Sequence, residues 1–146
     1  MPFDSIKSLF YHPEKLLSTV LWLVAFHTLA FGLILIIQPG VIMRFAGFGY
    51  GYDHFFPAQG GVFHLLMFVI YVMGAIQVEK YYHFIVFSIF VKAAATFFLL
   101  IYSFTVEFKW IIFLSGITDG IMGLMIFTAL LYYLHTKSSD SRDYKK

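Results

Sequence analysis

Hydrophobic residues fall into four long runs that are separated by short polar segments. The runs span residues 16–37, 57–78, 83–104 and 110–134. Each run reaches the length of about 20 residues that a helix needs to cross a hydrocarbon core of about 30 Å. The pattern predicts an all-α chain in which residues 16–135 form a bundle of four transmembrane helices.

The segment before the first run, residues 1–15, has a pattern of its own. Pro2 and Asp4 favour the start of a helix, and Pro13 favours its end. Four apolar residues of this segment share one helical face: Phe3, Ile6, Leu9 and Phe10. The pattern predicts a short amphipathic helix that lies at the membrane surface.

The longest connection joins the first two runs, from Gln38 to Phe56. It is rich in glycine and in aromatic residues, which are poorly placed in open water. We therefore expect an ordered lid over the outer end of the bundle. The chain ends with residues 136–146, which are charged and contain several serines. This composition predicts a disordered tail.

Basic residues are distributed unequally between the two ends of the predicted bundle. Arg44 and Lys109 are the two that lie in the first and third connections. Seven lie in the N-terminal segment, the second connection and the tail: Lys7, Lys15, Lys80, Lys137, Arg142, Lys145 and Lys146. Because cytoplasmic segments carry the excess of lysine and arginine, this asymmetry predicts that both termini are cytoplasmic.

Composition agrees with a membrane protein and excludes several other classes. Of 146 residues, 60% are hydrophobic and 12% are charged, whereas soluble domains carry about 25% charged residues. The net charge of +2 is too small for a surface that contacts many nucleic-acid phosphates. Because the chain has no cysteine, it forms neither disulfides nor thiolate metal sites. The lipid bilayer is the expected partner.

Two charged residues lie inside the predicted spans, Lys92 in the third and Asp119 in the fourth. Each would be unfavourable by about 2.5–3.5 kcal/mol at the centre of a lone inserted helix, so we expect them to face inward and to face each other. A spacing of four residues places Ser88 and Thr96 on the face of Lys92, and Ser115 on the face of Asp119. The two polar faces predict a shared seam between neighbouring helices.

The first two spans each contribute a histidine near the same depth. His27 lies near the middle of the first span, His64 lies about 5 Å nearer the outer surface, and Gln59 extends the polar surface further outward. All four spans therefore supply a titratable group. We expect His27, His64, Lys92 and Asp119 to form a buried polar cluster or ligand pocket, which Gln59 borders.

The favoured interpretation of this cluster is structural, with the polar groups fixing the helix packing and no cofactor bound. As an alternative, lysine and histidine donate hydrogen bonds to a small molecule, a quinone head group or a lipid head group. Proton transfer is a third interpretation. Haem b held between His27 and His64 is a fourth, because two axial imidazoles can face each other across one ring. Metal ligation is not indicated, since HxxxH and ExxH spacings are missing from the spans.

With these residues identified, the chain resembles the small bacterial four-helix membrane proteins called DoxX-like, over residues 16–134. The resemblance rests on the four spans, on the basic residue Lys92 and on two short motifs: Thr118-Asp119-Gly120 and Phe56-Pro57-Ala58-Gln59-Gly60-Gly61. It implies a four-helix fold in the bacterial inner membrane. Some DoxX-like proteins are associated with quinone-linked oxidation complexes, which implies an accessory role.

The favoured function is that of a non-catalytic accessory or scaffold subunit in a larger membrane complex, of a respiratory or redox type. The chain lacks a nucleophile elbow and a phosphate-binding glycine loop, which favours a protein that is not an enzyme. A small-molecule, quinone or haem-binding protein is the first alternative. The second is a small proton or solute transporter that acts as an oligomer, because four helices enclose little space. Other membrane subunits or further copies of the chain are the expected protein partners.

Overall fold

The computed structural model describes residues 12–49, 51 and 53–143, and for residues 140–143 only the backbone. These residues form five helices and no strand: α1 (Pro13–Ile37), α2 (Gly40–Phe45), α3 (Phe55–Ile76), α4 (Tyr82–Thr105) and α5 (Trp110–Asp143). All except α2 are long and apolar enough to cross a membrane. The prediction of an all-α chain with four long apolar helices is confirmed, and the fold is compatible with a multi-pass integral membrane protein.

The four long helices form a ring. Helix α1 packs against α3 and α5, and α4 packs against the same two helices. Successive long helices run in opposite directions, so α1 begins at the end where α5 finishes. We call this end, which also holds the α3–α4 turn, the termini end. The opposite end holds α2 and is called the loop end.

The start of α1 differs from the prediction. Pro13 was expected to end a surface helix, but it occupies the first turn of α1 instead. Proline suits this position, because the first amide groups of a helix need no partner within the helix. The remainder of the predicted surface helix, residues 1–11, lies outside the described residues.

The end of α5 also differs, because the helix continues through Asp143 where a disordered tail was expected from residue 136. The α5 sequence beyond Gly123 contains no glycine and no proline to interrupt the helix. In addition, Lys137 forms an ion pair with Glu79 of the α3–α4 turn. This contact ties the extension of α5 to the rest of the bundle, while residues 144–146 lie outside the described part of the chain.

The apolar core lies in the half of the bundle next to the termini end. Its most deeply buried side chains are at most 1% exposed: Leu17, Leu21, Tyr71, Val78, Ile85 and Ile126. The Ser18 hydroxyl donates a 2.7 Å hydrogen bond to the carbonyl oxygen of Ala75, which joins α1 to α3. Since lipid is as apolar as these side chains, close packing and interhelical hydrogen bonds hold this half together.

Two glycines bring α1 and α3 close together in the other half. A Cβ atom on Gly61 would lie 2.7 Å from the carbonyl oxygen of Gly32 and 2.7 Å from Cγ1 of Ile36. A Cβ atom on Gly32 would lie 3.1 Å from Cβ of His64. Larger residues would separate the two helices, so the glycine pair fixes the position of His64 against α1.

Hydrogen bonds hold the first connection at two places. The side chains of Gln38 and His54 share a 2.6 Å hydrogen bond, and the Gln38 amide also donates to the His54 carbonyl oxygen. At the loop end, the Trp110 indole N–H donates a 3.1 Å hydrogen bond to the carbonyl oxygen of Phe45, the last residue of α2. The Trp110 hydrogen bond ties the end of α2 to the start of α5. Tyr50 and Tyr52 lie outside the described residues.

Removing the indole donor is expected to loosen α2. The Trp110→Phe substitution keeps an aromatic ring against Phe45, whose ring centroid lies 5.1 Å from that of Trp110, but deletes the hydrogen bond. A loss of about 1 kcal/mol corresponds to roughly fivefold faster amide hydrogen exchange in α2. Trp22→Phe in α1 is the matched control. Unchanged exchange in Trp110→Phe would show that the bond does not hold α2.

Candidate functional site

A buried ion pair joins α4 to α5 at the middle of the bundle. Lys92 Nζ donates a hydrogen bond to Oδ1 of Asp119, and the two residues are 4% and 8% exposed. Gly123 allows this approach, because a Cβ atom there would lie 3.0 Å from Cβ of Lys92. Each charge offsets the desolvation of the other, which is the arrangement that makes buried charges tolerable.

Helix α3 contributes the ring of Tyr71 to the same layer. Lys92 Nζ lies 5.8 Å from the Tyr71 ring centroid, within the range of a cation–π interaction. Tyr71 is 1% exposed, so the ammonium group is shielded on this side by an aromatic face. The ion pair thus lies where α3, α4 and α5 meet.

The two histidines are connected through a phenyl ring. The Phe31 ring stacks with the His27 imidazole at a centroid distance of 4.8 Å, and its centroid lies 6.3 Å from that of His64. Phe31 follows His27 by one helical turn, which accounts for the stacking on α1. The histidines therefore border the same region without pairing with each other.

A cavity of about 350 Å³ extends from this layer toward the loop end, and we call it the loop-end cavity. Its polar side chains come from three helices: His27, His64, Ser115, Thr118 and Asp119. Aromatic and aliphatic side chains form its walls, and one of them is Phe48 of the first connection. The Lys109 ammonium group lies 5.0 Å from the Phe48 ring centroid, which helps to hold this ring in place.

A second cavity of about 420 Å³ lies between α3 and α4, and we call it the seam cavity. Thr28, Tyr71 and Lys92 line its interior. His64, Leu99 and Asp119 line both cavities. These three shared side chains form the partition between the two spaces, so the polar layer is accessible from both.

Two polar atoms in this region are buried and have no hydrogen-bond partner among the described residues: Nδ1 of His27 and Oγ1 of Thr28. Two other helical hydroxyl groups near the layer behave differently. Ser88 and Thr96 each donate to the carbonyl oxygen four residues earlier. An unpaired buried polar group costs about 1–3 kcal/mol, so Thr28 and His27 are positions where a bound molecule would be stabilised.

The predicted site residues are thus divided by the structure. His27, His64, Ser115 and Asp119 line one cavity, and Lys92 joins them through its ion pair. Ser88 and Thr96 lie on the α4 face of Lys92, but their hydroxyl groups are used by the helix backbone. Gln59 is exposed at the helix surface and lines neither cavity.

Sequence reasoning missed three residues of the site. Thr28, Phe31 and Tyr71 are not among the site residues that the sequence pattern predicts. Thr28 and Phe31 lie within four residues of His27, and Tyr71 lies beside the ion pair. The spacing of four residues from His27 to Phe31 was an available signal for ring stacking on one face.

Haem does not fit between the histidines in this arrangement. Ligation by both imidazoles requires them to face each other across an open plane. The Phe31 ring packs beside both of them, and the Gly32–Gly61 contact holds α1 against α3 at this level. Among the described residues, no group of three or more histidine, aspartate or glutamate side chains is placed to hold a metal ion.

Comparison with known proteins gives no relative from which a function can be transferred. No family model, curated protein or solved structure matches the chain. The resemblance to DoxX-like proteins therefore stays a prediction, and function has to be inferred from the cavities and their side chains.

Proposed function

We propose that the protein is a membrane-embedded binding protein for a small, mostly apolar molecule with an oxygen-bearing polar group. The observation that carries this proposal is the loop-end cavity, whose apolar walls surround a polar base of His27, His64 and Asp119. Small-molecule sites have this composition, and their volumes are about 300–1,000 Å³. A volume of about 350 Å³ suits a single ring system with a short substituent.

The base of the cavity offers both kinds of hydrogen bond. Asp119 accepts, and the imidazoles of His27 and His64 donate or accept according to their tautomers. Ile111 lines the cavity eight residues before Asp119, a distance of about 12 Å along α5. A phenol that donates its hydroxyl to Asp119 matches this chemistry, and so does a quinone whose carbonyl oxygen accepts from an imidazole of His27 or His64. Either ring would lie between Phe31 and Ile111.

The charge distribution supports an orientation for this site. The excess of lysine and arginine at the termini end supports a cytoplasmic position for that end. The inner membrane of a bacterium is the location that the resemblance to DoxX-like proteins implies. The loop-end cavity then lies in the outer half of the bilayer. A ligand would thus be held away from the cytoplasm.

Filling the cavity is expected to displace the ligand. In Ser115→Phe the added ring occupies the space next to Asp119, so we expect at least a tenfold drop in molecules that co-purify with the chain from native membranes. The measurement is mass spectrometry of the solvent extract from the size-exclusion peak in mild detergent. Thr128→Phe, on an exposed surface of α5, is the matched control.

Two results would contradict the proposal. One is a ligand retained equally in Ser115→Phe and in the unchanged chain, and the other is an empty extract from both. A normal size-exclusion profile shows that Ser115→Phe is folded. A missing ligand in that variant then reports a loss of binding.

A scaffold or accessory subunit is the second candidate, and the packing of α4 against α5 favours it. The Lys92–Asp119 pair and the close approach at Gly123 are contacts that fix the positions of two helices. In this role the cavities need no ligand. Stoichiometric larger subunits in the same purification, without a ligand, would identify the chain as an accessory subunit.

A further inference from the structure

The seam cavity connects the outer surface of the bundle with buried polar groups at its centre. Phe63 of α3 and Phe98 of α4 line it and are 60% and 65% exposed. Thr28 and Lys92 line it as well and are 1% and 4% exposed. In a transmembrane bundle, the exposed surface of α3 and α4 faces lipid, so this cavity leads from the lipid side to the centre.

Small residues create the gap between the two helices. Gly60 of α3 and Ala95 of α4 both line the seam cavity, at positions where larger side chains would close it. The nearest atom to a Cβ on Gly60 would be Cδ1 of Leu35, at 3.9 Å, so this position has free space. The small side chains at these two positions therefore leave the gap between α3 and α4 open.

The inner end of the cavity holds a hydroxyl group that lacks a partner. Thr28 Oγ1 forms no hydrogen bond among the described residues, although most helical serine and threonine side chains of this protein donate to the backbone. Bilayer interiors supply no water to such a group. Together with the Lys92 ammonium group, it favours a molecule that brings its own oxygen atom.

We propose that the seam cavity is a lateral opening through which a molecule dissolved in the bilayer reaches the polar layer. The ligand class is an apolar chain or ring with a neutral hydroxyl or carbonyl head group, which binds Thr28 and Lys92 while its tail passes between Phe63 and Phe98. The inference rests on the proposed binding function and adds the route of access. His64, Leu99 and Asp119 separate the two cavities, so movement of these three side chains would connect the route to the loop-end cavity.

Photolabelling in lipid nanodiscs tests the opening. The probe is decanol with a diazirine in its chain, and the labelled residues are identified by peptide mass spectrometry. We expect saturable labelling at Phe63 and Phe98 that excess decanol reduces at least tenfold and excess decane does not. Phe90, which is 69% exposed and lines neither cavity, reports labelling from bulk lipid.

Two variants address the two parts of the cavity. Thr28→Val removes the hydroxyl with little change in shape, and Ala95→Leu fills the seam while keeping the hydroxyl. Each is expected to lower the saturable labelling at least fivefold. Thr128→Val, an exposed position on α5 away from both cavities, is the matched control and should leave the labelling unchanged.

The outcomes separate this inference from the binding function itself. Saturable labelling confined to the walls near Ile111 and Ile112, and insensitive to Ala95→Leu, would place access at the loop end and overturn the lateral opening alone. Labelling at Phe63 that does not saturate, as at Phe90, would also overturn it. Saturable seam labelling with no ligand in the extract of the unchanged chain would support the opening and overturn the proposed loop-end site.

Discussion

Replacing one member of the buried ion pair is expected to lower the free energy of unfolding by about 3–5 kcal/mol. Lys92→Met leaves the Asp119 carboxylate without its counter-ion. Asp119→Leu likewise leaves the Lys92 ammonium group without a counter-ion. Both residues are buried where neither water nor lipid head groups replace the lost partner. Unfolding in mixed detergent and SDS micelles, followed by circular dichroism, gives the free energies.

The double variant Lys92→Met/Asp119→Leu separates pairing from packing. With both charges replaced by apolar side chains of similar size, we expect most of the lost stability to return. The same variant is expected to lose the ligand, because Asp119 forms part of the base of the loop-end cavity. Additive effects of the two single substitutions would contradict an energetic role for the ion pair.

The second large effect is expected at the contact between α1 and α3. Gly61→Ala would place a methyl group 2.7 Å from the carbonyl oxygen of Gly32, which belongs to the backbone of the neighbouring helix. Because a backbone atom cannot rotate away, the helices have to separate. We expect a loss of about 1–3 kcal/mol in the same unfolding measurement, the range typical of overpacked sites.

The adjacent glycine is the matched control for this substitution. A Cβ atom on Gly60 would lie 3.9 Å from its nearest neighbour, so Gly60→Ala introduces no collision. Alanine is the better helix former by about 1 kcal/mol, and Gly60→Ala is expected to match or exceed the original stability. Equal effects of the two substitutions would show that the helices are not held together by the Gly32–Gly61 contact.

The four long helices were predictable because lipid requires uninterrupted apolar segments of a minimum length. The ends of the helices were less predictable. Pro13 is compatible with the end of one helix and with the first turn of another, and the sequence alone does not choose between them. The polar residues after Thr136 resemble a tail in composition, whereas the helix continues there with support from Lys137 and Glu79.

The candidate site was predictable for those residues whose transfer into lipid costs the most free energy. Lys92 and Asp119 have few tolerable positions in a bilayer, so the rotation of α4 and α5 follows from them. Helices α1 and α3 are apolar on nearly all sides, and the polar residues in their spans cost less to bury than a charged lysine or aspartate. For this reason, the outward position of Gln59, the Phe31 contact of His27 and the buried hydroxyl of Thr28 required the structure.

The uneven packing of the bundle has a mechanical consequence. The apolar core of the termini half is filled by side chains such as Leu17, Leu21 and Ile126, whereas the two cavities reach the interior at the middle of the bundle and toward the loop end. Well-packed regions resist compression, and regions with voids do not. The helices are therefore expected to pivot about a stiff base and to move apart at the loop end, so the interior volume can change while the core stays intact.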